Sequence, residues 1–279
     1  MRATTGLGYK LFKLGGAEVR VFQTGRELAE AAAGRFTELA NHFINAEGRF
    51  TVALSGGSTP RLMFELLATR PPVAAVDWSR VCFFWSDERC VPPDDAESNY
   101  RMARETLLSK IDAPEQNIFR IPAEISPPEL AARKYAAALE EFFGVREPEM
   151  PGFDLVMLGM GADAHTASLF PHTAALRVTG KIAAANYVDK LGAYRITLTA
   201  EAINRARNII FLVAGSDKAQ ALAEVVGREG PGGEEPGREG PGGGRDPESF
   251  PSQLVRPQSG SLLWMTDEPA FAVLGARLE

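Results

Sequence analysis

Apolar residues recur along this chain with two different periods. At 18–23 (EVRVFQ) they alternate with polar ones, the pattern of a strand. At 26–45 they step by three and four, so that Leu28, Ala32, Phe36, Leu39 and Phe43 share one helical face. Short continuous apolar runs follow at 50–54 (FTVAL), 81–86 (VCFFWS) and 153–158 (FDLVML), with further strand candidates at 117–121, 182–188, 194–199, 209–214 and 262–266. Between them the spacing predicts helices at 60–67, 99–108, 128–143, 200–206, 218–226 and 268–274, and a polar loop with two prolines at 87–98. The first dozen residues are either a frayed tail or part of a first strand.

Continuous apolar strands alternating with helices indicate an α/β fold, a mainly parallel sheet covered by helices on both faces. Ligands of such sheets sit beyond the carboxyl ends of the strands. That directs attention to the loops after Leu54, Ser86, Leu158 and Ala214. One segment breaks the pattern. GREGPGG occurs at 227–233 and again at 237–243, and 12 of the 18 residues at 227–244 are Gly or Pro. Such a stretch cannot bury enough apolar surface to offset its ordering entropy. The expectation is one α/β domain over 1–279 with a flexible surface insertion at about 227–249.

Composition narrows the function without specifying it. Apolar residues make up 45% and charged residues 24% of the 279, enough for a large core. A formal net charge of −6 argues against nucleic acid and anionic membrane partners, and no run of 18 apolar residues or signal-peptide pattern is present. Cys82 and Cys90 form no metal-binding pattern, and reduced thiols fit a cytoplasmic protein.

Four loops carry candidate chemistry. Ser55, Gly56, Gly57, Ser58 and Thr59 (SGGSTP with Pro60) stand between a strand and a helix. Glycines allow close backbone approach, and hydroxyls and helix-start N–H groups suit an anion such as phosphate. The same residues also suit a plain tight turn with a hydroxyl cap. Asp87, Glu88 and Arg89 follow a buried strand, to orient a substrate or to hold another loop by ion pairs. At 159–171 (GMGADAHTASLFP), GxGxxA superficially matches a dinucleotide fingerprint, but Pro171 leaves no room for the long helix which that site needs. His165 in this loop is suited to proton transfer near neutrality, with Asp163 two residues away to fix its tautomer; a structural histidine is the alternative. His42 reads as structural and His172 as either. Lys218, at a helix start where a cation is unfavourable without a bound anion, and Arg195 are isolated cations near strand ends. The absence of GxSxG, HExxH and cysteine clusters disfavours serine-hydrolase and zinc chemistry.

Taken in order, SGGSTP, FFWSDERCVPPDDAESNYRMARETLL, FDLVMLGMGADAHTASLFP, YRITLT and FLVAGSDKAQAL resemble the 6-phosphogluconolactonases over about 21–276. The resemblance implies a modified Rossmann-like fold shared with glucosamine-6-phosphate deaminases and ribose-5-phosphate isomerases. It implies hydrolysis of 6-phospho-D-glucono-1,5-lactone to 6-phosphogluconate in the oxidative pentose phosphate pathway, with no metal and no organic cofactor. The implied site has His165 as base oriented by Asp163, with Asp87 and Arg89 beside it. Phosphate would lie on 55–59, with Arg195 and Lys218. The substrate would be a small phosphorylated sugar lactone, taken by a monomer or small homo-oligomer. Two features depart from the family: Ala164 stands where glycine is usual, and the Gly/Pro segment is unusual. The rival readings are glucosamine-6-phosphate deamination on the same scaffold and a non-catalytic sugar-phosphate sensor.

Overall fold

A computed structural model describes residues 8–69, 76–227 and 245–278. Its centre is a seven-stranded sheet of β1 (Lys10–Leu14), β2 (Ala17–Phe22), β3 (Phe50–Leu54), β4 (Val81–Trp85), β6 (Leu155–Gly159), β9 (Asn208–Val213) and β10 (Ser261–Asp267). The spatial order is β1-β2-β10-β9-β6-β3-β4. All neighbours are parallel except the β1–β2 hairpin at one edge. Every residue of β3 and β4 is buried, so both faces of the sheet are covered, as their unbroken apolar runs require.

The helices are α1 (Gly25–Glu47), α2 (Ser58–Thr69), α3 (Asn99–Thr106), α4 (Pro128–Phe143), α5 (Ala200–Asn204), α6 (Ala219–Val226) and α7 (Glu268–Leu278). α1 shows how sequence makes element. The Thr24 hydroxyl caps the Glu27 N–H, Glu27 reaches back to the Gln23 N–H, and the five apolar residues at three- and four-residue steps are all buried. α1 packs on α2, and α6 on α7. Near the end of β4, Phe84 meets Phe119, Phe142 and Phe153 at ring-centroid distances of 4.8–5.4 Å.

Three expectations change. Residues 87–89 are not loop but a short strand, β5 (Asp87–Arg89). It joins β8 (Ala193–Leu198) and β7 (Ala183–Val188) in a separate antiparallel sheet, order β5-β8-β7, so these strands lie outside the parallel sheet. The run 117–121 is no strand: Glu115–Asn117 is a 3-10 turn, and a single bridge joins Phe83 to Ile118. Apolar content there serves packing on β4 rather than a ladder. Of the first dozen residues, 10–12 belong to a strand, β1 (Lys10–Leu14), while 1–7 lie outside the described residues. Both cysteines are free, Cys82 buried within β4 and Cys90 half-buried. Of the expected insertion, Gly227 ends α6 and 246–249 form a turn, while 228–244 lie outside the described residues.

Candidate active site

A cleft of about 450 Å³ opens at the carboxyl ends of β3, β6 and β9, with the small sheet forming one wall. All of Ser55, Gly56, Gly57, Ser58 and Thr59 line it, as do Asp87 and Arg89. His165, Arg195 and Lys218 face the same space. The four loops singled out by sequence order therefore meet in one place.

The first wall forms because β3 ends buried and α2 begins at once. Ser58 and Thr59 lie inside the first turn of α2 rather than before it as a cap, so N–H groups at that end are free for an anion. Gly56 is required by a neighbour: a Cβ there would stand 1.9 Å from Asn99 Oδ1. Gly57 has φ 110°, which disfavours any side chain. The Ser55 hydroxyl is buried and without a hydrogen-bond partner, one of three such side-chain atoms among the described residues. A buried orphan hydroxyl in a cleft wall is a natural contact for a polar ligand.

In the second wall, strand alternation sorts β5 into two roles. Asp87 and Arg89 face the cleft, while Glu88 points away and is buried. Glu88 accepts from the N–H groups of Asn99 and Tyr100, both at 2.8 Å, and from the Ser98 hydroxyl at 3.0 Å. Of the two readings offered for this cluster, Glu88 holds the next loop, by capping α3 rather than by an ion pair. Burial pushes its carboxyl up, and the N–H bonds from Tyr100, Asn99 and Arg89 pull it back. Asp87 accepts from the Ser168 hydroxyl at 2.7 Å. Arg89 sits directly opposite Arg195 in the β5–β8 register. Burial lowers the Arg195 pKa, and the charge of Arg89 lowers it further. Two guanidinium groups side by side at a cleft are stabilised by an anion between them. Lys218 pairs with Asp217 at 2.6 Å.

The third wall is the loop after β6. His165 Nδ1 lies 2.5 Å from Asp163 Oδ1, and Asp163 Oδ2 accepts from Lys190. The His165 ring stacks on Phe170, with centroids 4.1 Å apart, and Lys190 Nζ lies 4.8 Å over that same ring. Burial alone would raise the Asp163 pKa, but the hydrogen bonds from His165 and Lys190 reverse this and hold the carboxyl well below the usual range. Gly161 makes room for the pair: a Cβ there would stand 2.1 Å from His165 Nδ1 and 2.6 Å from Asp163 Oδ1. Ala164 is left-handed at φ 61°, a conformation that favours glycine. His42 is exposed and packs edge-on to Phe43; His172 is exposed and outside the cleft lining.

Sequence reasoning missed Lys190, Asn99, Ser168 and Phe170, all of which line the cleft. Asn99, Ser168 and Phe170 lay inside the motif blocks but carried no individual signal. Lys190 lies in the turn of the β7–β8 hairpin, and only the fold brings it to Asp163, 27 positions earlier.

Fold and site together define an α/β protein with one cleft that couples a histidine–carboxylate pair to an anion-binding wall. The chain belongs to the family of glucosamine-6-phosphate isomerases and 6-phosphogluconolactonases, which matches residues 23–264. It is 39% identical over 253 residues to the 6-phosphogluconolactonase of Synechocystis sp., covering 91% of this chain and 96% of that one. It is 42% identical to the 6-phosphogluconolactonase of Nostoc sp., covering 83% and 87%. Among solved structures it resembles the 6-phosphogluconolactonase of Trypanosoma cruzi at TM-score 0.76 and 26% identity, covering 92% of this chain and 96% of that one. A monomeric glucosamine-6-phosphate deaminase shares the fold at TM-score 0.71 and 18% identity, covering 91% and 99%.

Proposed function

We propose that this chain is a lactonase that hydrolyses 6-phospho-D-glucono-1,5-lactone to 6-phosphogluconate, with His165 as the base that activates water. The observation that carries the mechanism is the His165–Asp163 contact of 2.5 Å at the cleft wall. With Nδ1–H donated to the Asp163 carboxylate, Nε2 carries the free lone pair, so the tautomer suits a base. The substrate class is supported by the names of the relatives and by the cationic wall.

The lactone is already an activated ester, so no covalent enzyme intermediate is needed. Water oxygen bonds to the ring carbonyl carbon while His165 Nε2 takes the water proton. The carbonyl oxygen becomes an oxyanion, for which loop N–H groups or Arg89 are the candidate donors. The ring C–O bond then breaks, and the imidazolium returns its proton to the departing oxygen. Asp163 stabilises the imidazolium in between. The phosphate lies against the 55–59 loop and the first turn of α2, with the Ser55, Ser58 and Thr59 hydroxyls, and Arg195 and Lys218 supply charge. Binding this remote group holds the reacting carbon in place, which is a large source of rate. The route uses no metal and no organic cofactor. The same reading takes the chain as one α/β domain acting on a free small molecule.

The test is a lactonase assay with spontaneous hydrolysis subtracted, run on the parent and on His165→Ala. Loss of a general base should lower kcat at least about 100-fold, with a much smaller change in KM. A kcat within about threefold of the parent excludes His165 as the base, since that is far below the range for general-base loss. Absence of lactone turnover with ammonia release from glucosamine 6-phosphate would replace the reading with its closest rival.

A further inference from the structure

Among the described residues, the only non-glycine residues with positive φ are Ala164 at 61°, Ala167 at 46° and His172 at 59°. All three fall in the nine-residue stretch that carries His165. Backbone strain concentrated in this way persists only where surrounding structure over-determines it. Here the surrounding structure is a strap at 246–252. Its Glu248 carbonyl accepts from the His172 N–H at 3.0 Å. Ser252 donates both its N–H, at 3.0 Å, and its hydroxyl, at 2.7 Å, to the Ala164 carbonyl. Ser252 is buried at 1% exposure and Ala164 at 0%, so no water competes for that carbonyl. The strap is fixed in turn from behind: the Gln253 side chain accepts from the Asp246 N–H at 2.8 Å and donates to the Glu224 carbonyl at 2.9 Å.

From this geometry we infer that Ser252 is a positioning residue for His165, acting through the peptide that joins Ala164 to it. This rests on the reading of His165 as the base. Alanine prefers to leave the left-handed region, whereas glycine has no such preference. In this chain, a carbonyl gripped by two donors holds the Ala164–His165 peptide in the orientation that brings the imidazole against Asp163 and Phe170. Without the hydroxyl, the Ser252 N–H alone holds that carbonyl, the peptide is held less tightly, and the ring leaves its place part of the time. The substrate wall at 55–59 is untouched, so binding should be spared.

The experiment compares Ser252→Ala in the parent and in an Ala164→Gly background. In the parent, Ser252→Ala should lower kcat about fivefold, the equivalent of one net hydrogen bond, with KM within about twofold. In the Ala164→Gly background the same change should cost less than about twofold, because glycine stays left-handed without the grip. Parent-like kcat in Ser252→Ala, or an equal loss in both backgrounds, overturns the inference. A parent devoid of lactonase turnover would instead overturn the functional reading. In that event the imidazole resonances of His165 decide the positioning claim: Ser252→Ala should shift them, and unchanged resonances overturn it.

Discussion

Ala164 occupies a left-handed position with its methyl group fully buried. Three effects meet there. A non-glycine residue at positive φ costs about 1–2 kcal/mol. Against that, glycine would cost about 0.4–1 kcal/mol through the unfolded chain, and its lost methyl about 0.8 kcal/mol of burial. The terms nearly cancel, so Ala164→Gly should leave the unfolding free energy within about 1 kcal/mol of the parent in urea denaturation. A larger loss would mean that methyl packing dominates. Asp163 gives a second residue-scale prediction. Its carboxyl is held well below the ordinary value of 3.8 by His165 and Lys190, against the upward push of burial. A lowered carboxylate pKa means the ionised partner stabilises the fold fully above the ordinary value, and this is lost only as pH falls through the lowered one. Carboxyl-carbon NMR at pH 3.8 should find Asp163 still ionised; half-protonation there would contradict the pairing.

At the scale of elements, Glu88 links β5 to α3. Removing it strands the N–H groups of Asn99 and Tyr100 and the Ser98 hydroxyl, while relieving the burial of a charge. The net expectation for Glu88→Ala is a loss of about 2 kcal/mol in denaturant unfolding. A change under about 0.5 kcal/mol, the range of an ordinary surface substitution, would mean the capping contributes little. This element also shows what sequence could and could not reveal. β3, β4 and β6 were legible because strands buried on both faces must be continuously apolar. α4 matched residue for residue at 128–143, where proline opens the helix and apolar spacing persists to its end. β5 was illegible: its three residues are charged, and it exists because β8 lies alongside to pair with it. The candidate residues on strand-end loops were legible for the same reason as the sheet. Lys190 was not, because a hairpin turn holds no record of what it folds against.

At the scale of the whole molecule, local and global charge disagree in sign. The chain carries a net −6, yet Arg89, Lys190, Arg195 and Lys218 all line the cleft. If the overall charge governed capture of a phosphorylated substrate, added salt would screen repulsion and raise kcat/KM. If the cleft governs it, salt should lower kcat/KM. The second outcome is expected, a severalfold fall as the screening length contracts from about 30 Å at 0.01 M to about 8 Å at 0.15 M. A rise would show that the cationic wall does not attract the substrate.

The alternation along β5 has a consequence for how this protein can vary. Asp87 and Arg89 look into the cleft and Glu88 looks away, only because each residue occupies its own step of the pleat. Adding or deleting one residue in that segment would turn Glu88 toward the cleft and send both neighbours toward α3, replacing an acid–arginine pair on the wall by a lone acid and uncapping the helix at once. The segment should therefore accept exchanges of side chain more readily than any change in its length. Variant libraries that include insertions and deletions would expose a constraint that substitution scanning does not register.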